Sequence, residues 1–461
     1  GGMVLSGGQA VQQFNAAGRL TGETITWSGE ASTIRLTATG QLNLGLETST
    51  ASGSIEVGAR LRASSLIELS GGANADHVGV RLPGSAVVAV KDADGVLVIN
   101  SAQDAWLMGQ LLSGGEVIDS YDAAGYYLGS TMRHSGGDSV IRISADEQIR
   151  IGRDLLAGKT IDVRGGRSSH QATADDPWGD EGLVLGGNVQ FRTWQENSSI
   201  TLSAAGDMSV LTPTWTQEIV ADGFAEYADG HLSAPASLRI TVENGSNDLQ
   251  ADIVLGSSRS GGPQGLASLV QDLQAAIDAT ALAGKITVRL DDGRLMLTSN
   301  HELRIAAASG GAERLGFTQI AAANPTAGST VSARSYAIDA SERGSVVNLG
   351  KANAPAGIIT IAGAIRAYSG INMYAGSGVT GQLGVDFTAT SLIETLSGSM
   401  VMSPAGTAVI EGEFIARGAH ADIIINGTGS LVLKGKLTAG RDILVSAGTR
   451  EQAGDVSLRT Y

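Results

Sequence analysis

A short alternating phrase, with β-branched or aliphatic residues at every second place, returns along the whole chain. It occurs as Thr33-Ile-Arg-Leu-Thr37, Gly53-Ser-Ile-Glu-Val-Gly58, Asp138-Ser-Val-Ile-Arg-Ile-Ser144, Lys159-Thr-Ile-Asp-Val163, Ser199-Ile-Thr-Leu202, Ile358-Ile-Thr-Ile361, Asp422-Ile-Ile-Ile425 and Asp442-Ile-Leu-Val-Ser446. Period-two alternation over four to seven residues is the mark of a half-buried strand. Neighbouring copies keep nearly one step: Ile34 to Ile55 is 21 positions, Ile141 to Ile161 is 20, and Ile424 to Ile443 is 19. A period of about 20 residues carrying short strands between turns predicts a stacked β-solenoid. Its interior would hold ladders of Ile, Val and Leu, each strand in register with those above and below. Ile424 is expected among the inward positions.

The pattern divides the chain into three parts: 1–213, 214–330 and 331–461. In the first, Gly40-Gln-Leu-Asn-Leu-Gly45 and Ser65-Leu-Ile-Glu-Leu69 read as strands. Val87-Val-Ala-Val90 and Val96-Leu-Val-Ile99 flank Lys91-Asp-Ala-Asp-Gly95, a hairpin or a corner with Gly where positive φ is easiest. Loop residues gather at 164–182. In the middle part Leu266, Leu269, Val270, Leu273 and Ile277 form one helical stripe, with Ser268 and Gln271 as a capping box and Gly284 as a stop. Strands are expected at Leu238–Val242, Gln250–Leu255, Ile286–Leu290 and Leu295–Thr298, the last two joined as a hairpin through Asp291-Asp-Gly293. The result is an inserted α+β domain of ββαββ order. From about 331 the β repeat resumes.

The stretch Leu266-Ala-Ser-Leu-Val-Gln-Asp-Leu-Gln-Ala-Ala-Ile-Asp278, then Gly284-Lys-Ile-Thr-Val288 and Gly293-Arg-Leu-Met-Leu-Thr-Ser299, resembles the flagellin hook IN motif of flagellins and hook-associated proteins. Ile277-Asp278 stands where that motif usually has Ile-Asn. The resemblance implies an exposed decorating domain on a secreted filament or surface protein, with no catalytic residue. The repeats over 20–210 and 331–461 resemble the β-helical region of giant bacterial adhesins of the filamentous-haemagglutinin kind. That implies a right-handed parallel β-helix, export, and display at the cell surface.

Composition agrees with this picture. At 461 residues the chain exceeds what one globular core supports, a limit that a solenoid avoids because each repeat buries its face only on its neighbours. Gly numbers 64 and Pro only 8, which suits tight corners better than a disordered linker. A formal charge of −15 argues against nucleic acid as a partner. The absence of Cys excludes disulfides and thiolate sites. No apolar run reaches membrane-spanning length. The start, Gly1-Gly-Met-Val-Leu5, lacks the basic region of a signal peptide, so the chain is expected to be an internal piece of a longer protein or a mature product.

Candidate chemistry is sparse. The histidines are dispersed, and no Gly-x-Ser-x-Gly elbow occurs. Gly376-Ser-Gly-Val-Thr-Gly381 fits a dinucleotide fingerprint in letters, but Gln382-Leu-Gly-Val-Asp-Phe387 after it reads as a strand, so it is a repeat corner. Asp92-Ala-Asp-Gly95 begins like a calcium loop without the later Glu. The acidic loop Asp175-Asp-Pro-Trp-Gly-Asp-Glu181 is the candidate metal site: Asp175, Asp176, Asp180 and Glu181 could give Ca²⁺ the oxygen ligands it prefers. The same carboxylates, with Arg164 and Arg167 near and Trp178 and Trp194 as sugar platforms, supply material for a glycan-binding or glycan-cleaving wall. All five tryptophans (27, 106, 178, 194 and 215) precede the middle part's strands, marking a binding half or anchoring loops.

The expectation is therefore an all-β parallel β-helix with one α+β insert, a non-enzymatic structural and adhesive segment of an extracellular bacterial surface protein. Its partners would be neighbouring copies or flanking segments of the same protein, and surface glycans. The alternative is a carbohydrate-binding or polysaccharide-cleaving module.

Overall fold

The computed structural model describes residues 3–458 except 18–19, 51–52, 59, 74–76, 85, 122–126, 135, 168–180, 187–188, 211–216, 222–224, 226–231, 233, 243–248, 257–265, 292–293, 300–302, 308–310, 318–332, 335, 354, 377–382 and 449–455. Three parallel sheets of eleven strands each run its length. Sheet 1 begins with Met3–Leu5, sheet 2 with Thr33–Thr37 and sheet 3 with Leu42–Asn43. The chain visits them in that order and then starts again, so three strands make one rung and eleven rungs make the stack. At the ~4.8 Å spacing of paired strands the stack is about 50 Å tall. It is a parallel β-helix, as the repeat predicted.

Alternation explains the interior. Along sheet 2, Ile34, Ile67, Leu97, Ile141, Ile161, Ile200, Val347, Ile371, Met400 and Ile423 sit directly above one another, all buried. Each such side chain contributes about 1.5–3 kcal/mol by leaving water. Phe191, Phe387 and Phe414 fill the same space from sheets 1 and 3, the last two edge to face at 4.8 Å.

Two of the expected steps are corrected. Ile34 stacks on Ile67, not on Ile55. Gly53–Gly58 pairs antiparallel with Gly45–Thr50 in a hairpin between the first two rungs. Period two reads the same in a hairpin and in a rung, and only the partner distinguishes them. Ile424 stacks on Leu444 and faces outward, while Ile423 and Ile425 point in. Three consecutive isoleucines leave the phase undecided until the rung below sets it. Lys91–Gly95 is a corner, because Val87–Val90 belongs to sheet 1 and Val96–Ser101 to sheet 2.

The insert interrupts the chain between Asp207–Val210, in sheet 3 of the sixth rung, and Ile338–Ala340, in sheet 1 of the seventh. Its helix spans Leu266–Asp278, burying Leu269, Leu273 and Ile277. Ser268 lies inside the first turn and so is not the cap. The chain leaves the helix through Thr280, whose Oγ1 donates to Ile277 O at 2.7 Å, and Gly284 follows at φ 69°. The predicted hairpin forms, and the other two expected strands also pair with each other, in a separate sheet. Ile286–Asp291 and Arg294–Ser299 join Gln217–Val220 and Ala333–Arg334, whereas Ala236–Val242 and Leu249–Leu255 join Leu303–Ala307.

Candidate functional site

The corner from sheet 2 to sheet 3 changes length from rung to rung through the middle of the stack. Residues 166–180 make it in the fifth rung, only Ala205 and Gly206 in the sixth, residues 350–358 in the seventh and 376–382 in the eighth. A notch, a cavity of about 660 Å³, opens over Ala205 and Gly206, lined also by Arg167, Gly357 and Gly376 of neighbouring rungs.

Its geometry follows from close backbone packing. Asp207 Oδ1 accepts a hydrogen bond from Ile358 N at 2.7 Å, tying the sixth corner to the seventh. A Cβ on Gly357 would lie 2.1 Å from that oxygen, so any other residue there would displace the Asp207 carboxylate. Gly376, at φ 96°, donates to Ala356 O at 2.9 Å, and a Cβ there would meet Ala405 O at 2.0 Å. The lining is therefore largely main chain, with methyl groups and the apolar side chains of Pro355, Ile358 and Leu383. Charge enters from Arg167, which is exposed and makes no ion pair among the described residues, and from half-buried Asp207. Asp207 is the one carboxylate among the described lining residues, so they do not supply the pair that glycoside hydrolysis uses.

The same edge carries a polar row on earlier rungs. His77 stands in the left-handed region at φ 56°, its Nδ1 3.3 Å from Gln103 Nε2 and 4.0 Å from Glu147 Oε2.

The residues expected from sequence are dispersed. Asp175, Asp176 and Asp180 lie outside the described residues, as do Trp178 and Trp215. Glu181 opens the strand Glu181–Leu185 and is buried. Its Oε1 accepts from Ser209 Oγ at 2.7 Å and its main-chain oxygen from Gln148 Nε2 at 2.9 Å, so it holds the wall together. Arg164 lies on the outer face of sheet 2, where Nε donates to Asp162 at 3.1 Å; that bond and Asp162's charge raise its pKa further. Trp194 is at a sheet 1 to sheet 2 corner, stacked on His134 at 4.7 Å, away from the notch edge. Trp27 Nε1 donates to Glu116, fastening one hairpin to another. Trp106 lies on sheet 3 between the guanidinium groups of Arg81 and Arg150, 5.6 and 5.4 Å from its ring. The three described tryptophans outside 164–182 and the insert thus act as fasteners. Among the described residues no three His, Asp or Glu side chains cluster as metal ligands. The sequence reading missed Asp207 and the His77–Glu147 approach, partners 70 positions apart with no local signal; the two-residue connection at Ala205-Gly206 was visible but unremarkable alone.

No family model, no curated protein and no solved structure matches this chain. Among the described residues no helix is long and apolar enough to cross a membrane.

Proposed function

We propose that this chain is a structural and adhesive segment of an exported bacterial surface protein, a stiff spacer that holds the α+β insert and the corner loops away from the cell. The observation that supports this best is continuity across the insert. Ser199, Ile200, Thr201 and Leu202 pair with Val346, Val347, Asn348 and Leu349 although some 147 positions separate them. Sheets 1 and 3 close in the same way, with Phe191 on Ile338 and Met208 on Ile359. The insert therefore hangs from one corner without breaking the column, the arrangement of a support and its decoration. The resemblance of the repeats to filamentous adhesins, and of the insert to hook-associated domains, points the same way.

Immunogold labelling of the insert on cells that express the chain tests the reading. Label standing off the outer envelope is the expected result; label confined to the cell interior overturns it.

A further inference from the structure

We propose that the notch over Ala205 and Gly206 is a binding subsite for a neutral saccharide of one or two rings, a role that goes beyond the supporting rod. At about 660 Å³ the cavity falls within the range of small-molecule sites. Ala205, Gly206, Gly357 and Gly376 offer peptide groups to an approaching sugar ring, and Pro355, Ile358 and Leu383 add apolar surface for its C–H face. Asp207 is clamped through Oδ1 to Ile358 N, which fixes its second oxygen as an oriented acceptor. Arg167 brings several donors and has no competing carboxylate among the described residues.

A fixed acceptor and a multi-donor group lining one cavity complement sugar hydroxyls, each of which both donates and accepts. Charge selects further. Among the described lining residues one guanidinium stands against one carboxylate, on a chain of net charge −15. An acidic sugar meets the repulsion of the whole molecule, and a cationic ligand meets Arg167; a neutral polyol meets neither. With a single carboxylate at hand, the described residues bind without cutting.

Saturation-transfer NMR and calorimetry on the whole chain, with lactose, cellobiose and maltose as probes and galacturonate as the anionic counterpart, test the assignment. The expected result is binding of at least one neutral disaccharide, weakened about tenfold by Arg167→Ala, the loss of one charge-assisted hydrogen bond. Ala205→Trp, which fills the notch from an exposed position, should abolish it. Circular-dichroism melting of both variants checks that the fold is kept. Binding by galacturonate alone, no binding by any neutral probe, or binding unchanged in either folded variant overturns the proposal. The measurement is made in solution and does not depend on where the chain is displayed, so its failure would leave the rod reading standing.

Discussion

The outer face of sheet 1 is finished in two different ways along the same column. In the early rungs it is apolar: Val87, Ala89, Leu112 and Leu156 point away from the solenoid interior yet are buried. A hairpin, Gly115–Tyr121 with Tyr127–His134, folds back over them and lays Val117 against them, with Trp194 at the margin. A second hairpin, Gly8–Phe14 with Leu20–Trp27, covers the rung before, where Arg62 meets Glu23 at 3.1 Å with both side chains buried. In the later rungs the same outward positions carry charge. Asp339 accepts two bonds from Arg366, at 3.1 and 2.8 Å, and Glu394 accepts from Arg417 and from the hydroxyl of Tyr336, whose ring lies 4.1 Å from the Arg366 guanidinium. Burial works against the Arg366 charge, but the bonds and charge of Asp339 outweigh it and raise its pKa. A solenoid fixes only its inner face. The outer face is satisfied by a second layer where it is apolar and by rung-to-rung ion pairs where it is polar.

The largest effect expected from this contrast separates inside from outside. Ile423→Asp puts a charge among fully buried side chains and should cost more than about 4 kcal/mol, unfolding the rungs around it. Ile424→Asp, one residue on but facing out, should cost less than about 1 kcal/mol. Limited proteolysis with denaturant titration reads both, and equal effects would mean that the phase of this strand is wrong.

Next is Leu112→Ala beneath the hairpin. It removes a side chain buried on the outer face and should cost about 2–5 kcal/mol, as an inner-face deletion does. A near-neutral result by thermal melting would show that the hairpin layer contributes little.

Glu394→Gln keeps the shape but loses the carboxylate shared by Arg417 and Tyr336. A loss of about 1–3 kcal/mol is expected, confined by hydrogen exchange to rungs seven to ten.

Acid should act on individual carboxylates of the column in opposite senses. Asp422 has its pKa lowered by Arg441's hydrogen bond, so its contribution is present above the unfolded value of 3.8 and is lost as pH falls through the lower folded value. Asp154, in an early corner, is raised by burial. It favours the folded state below 3.8, and that benefit is lost as pH rises through the higher folded value. Asp386, raised by burial and then by Glu411, follows Asp154. Hydrogen exchange near pH 3 compared with pH 6 should show loosening at residues 421–446 and none at the Asp154 corner; the reverse pattern would contradict these assignments. Smallest of all is Lys436→Met, which removes an exposed pair with Glu413 and should change stability by less than about 1 kcal/mol.

Much of the architecture could be read directly. Strands such as Ile141–Ile143 over Ile161–Val163 declared both their alternation and their spacing, because short corners kept the step constant. The helix Leu266–Asp278 was legible for the same reason: a single amphipathic stripe has one period and one partner face. The hairpin at 45–58 was not, since its residues satisfy the strand pattern whichever neighbour they pair with. The candidate site was less legible still. Arg167 was noticed in sequence and does line the notch, but Glu181 was noticed too and is spent inside the wall.

By itself the sequence determined that this chain stacks, because period two inside period 20 lets apolar side chains bury only against copies of themselves. The tertiary structure alone decided which rung lies on which, which of three consecutive isoleucines points inward, and that one short corner sits between long ones. Those depend on contacts between residues 20 to 150 positions apart, and pairing across such distances is set by the packed column as a whole, not by any local preference.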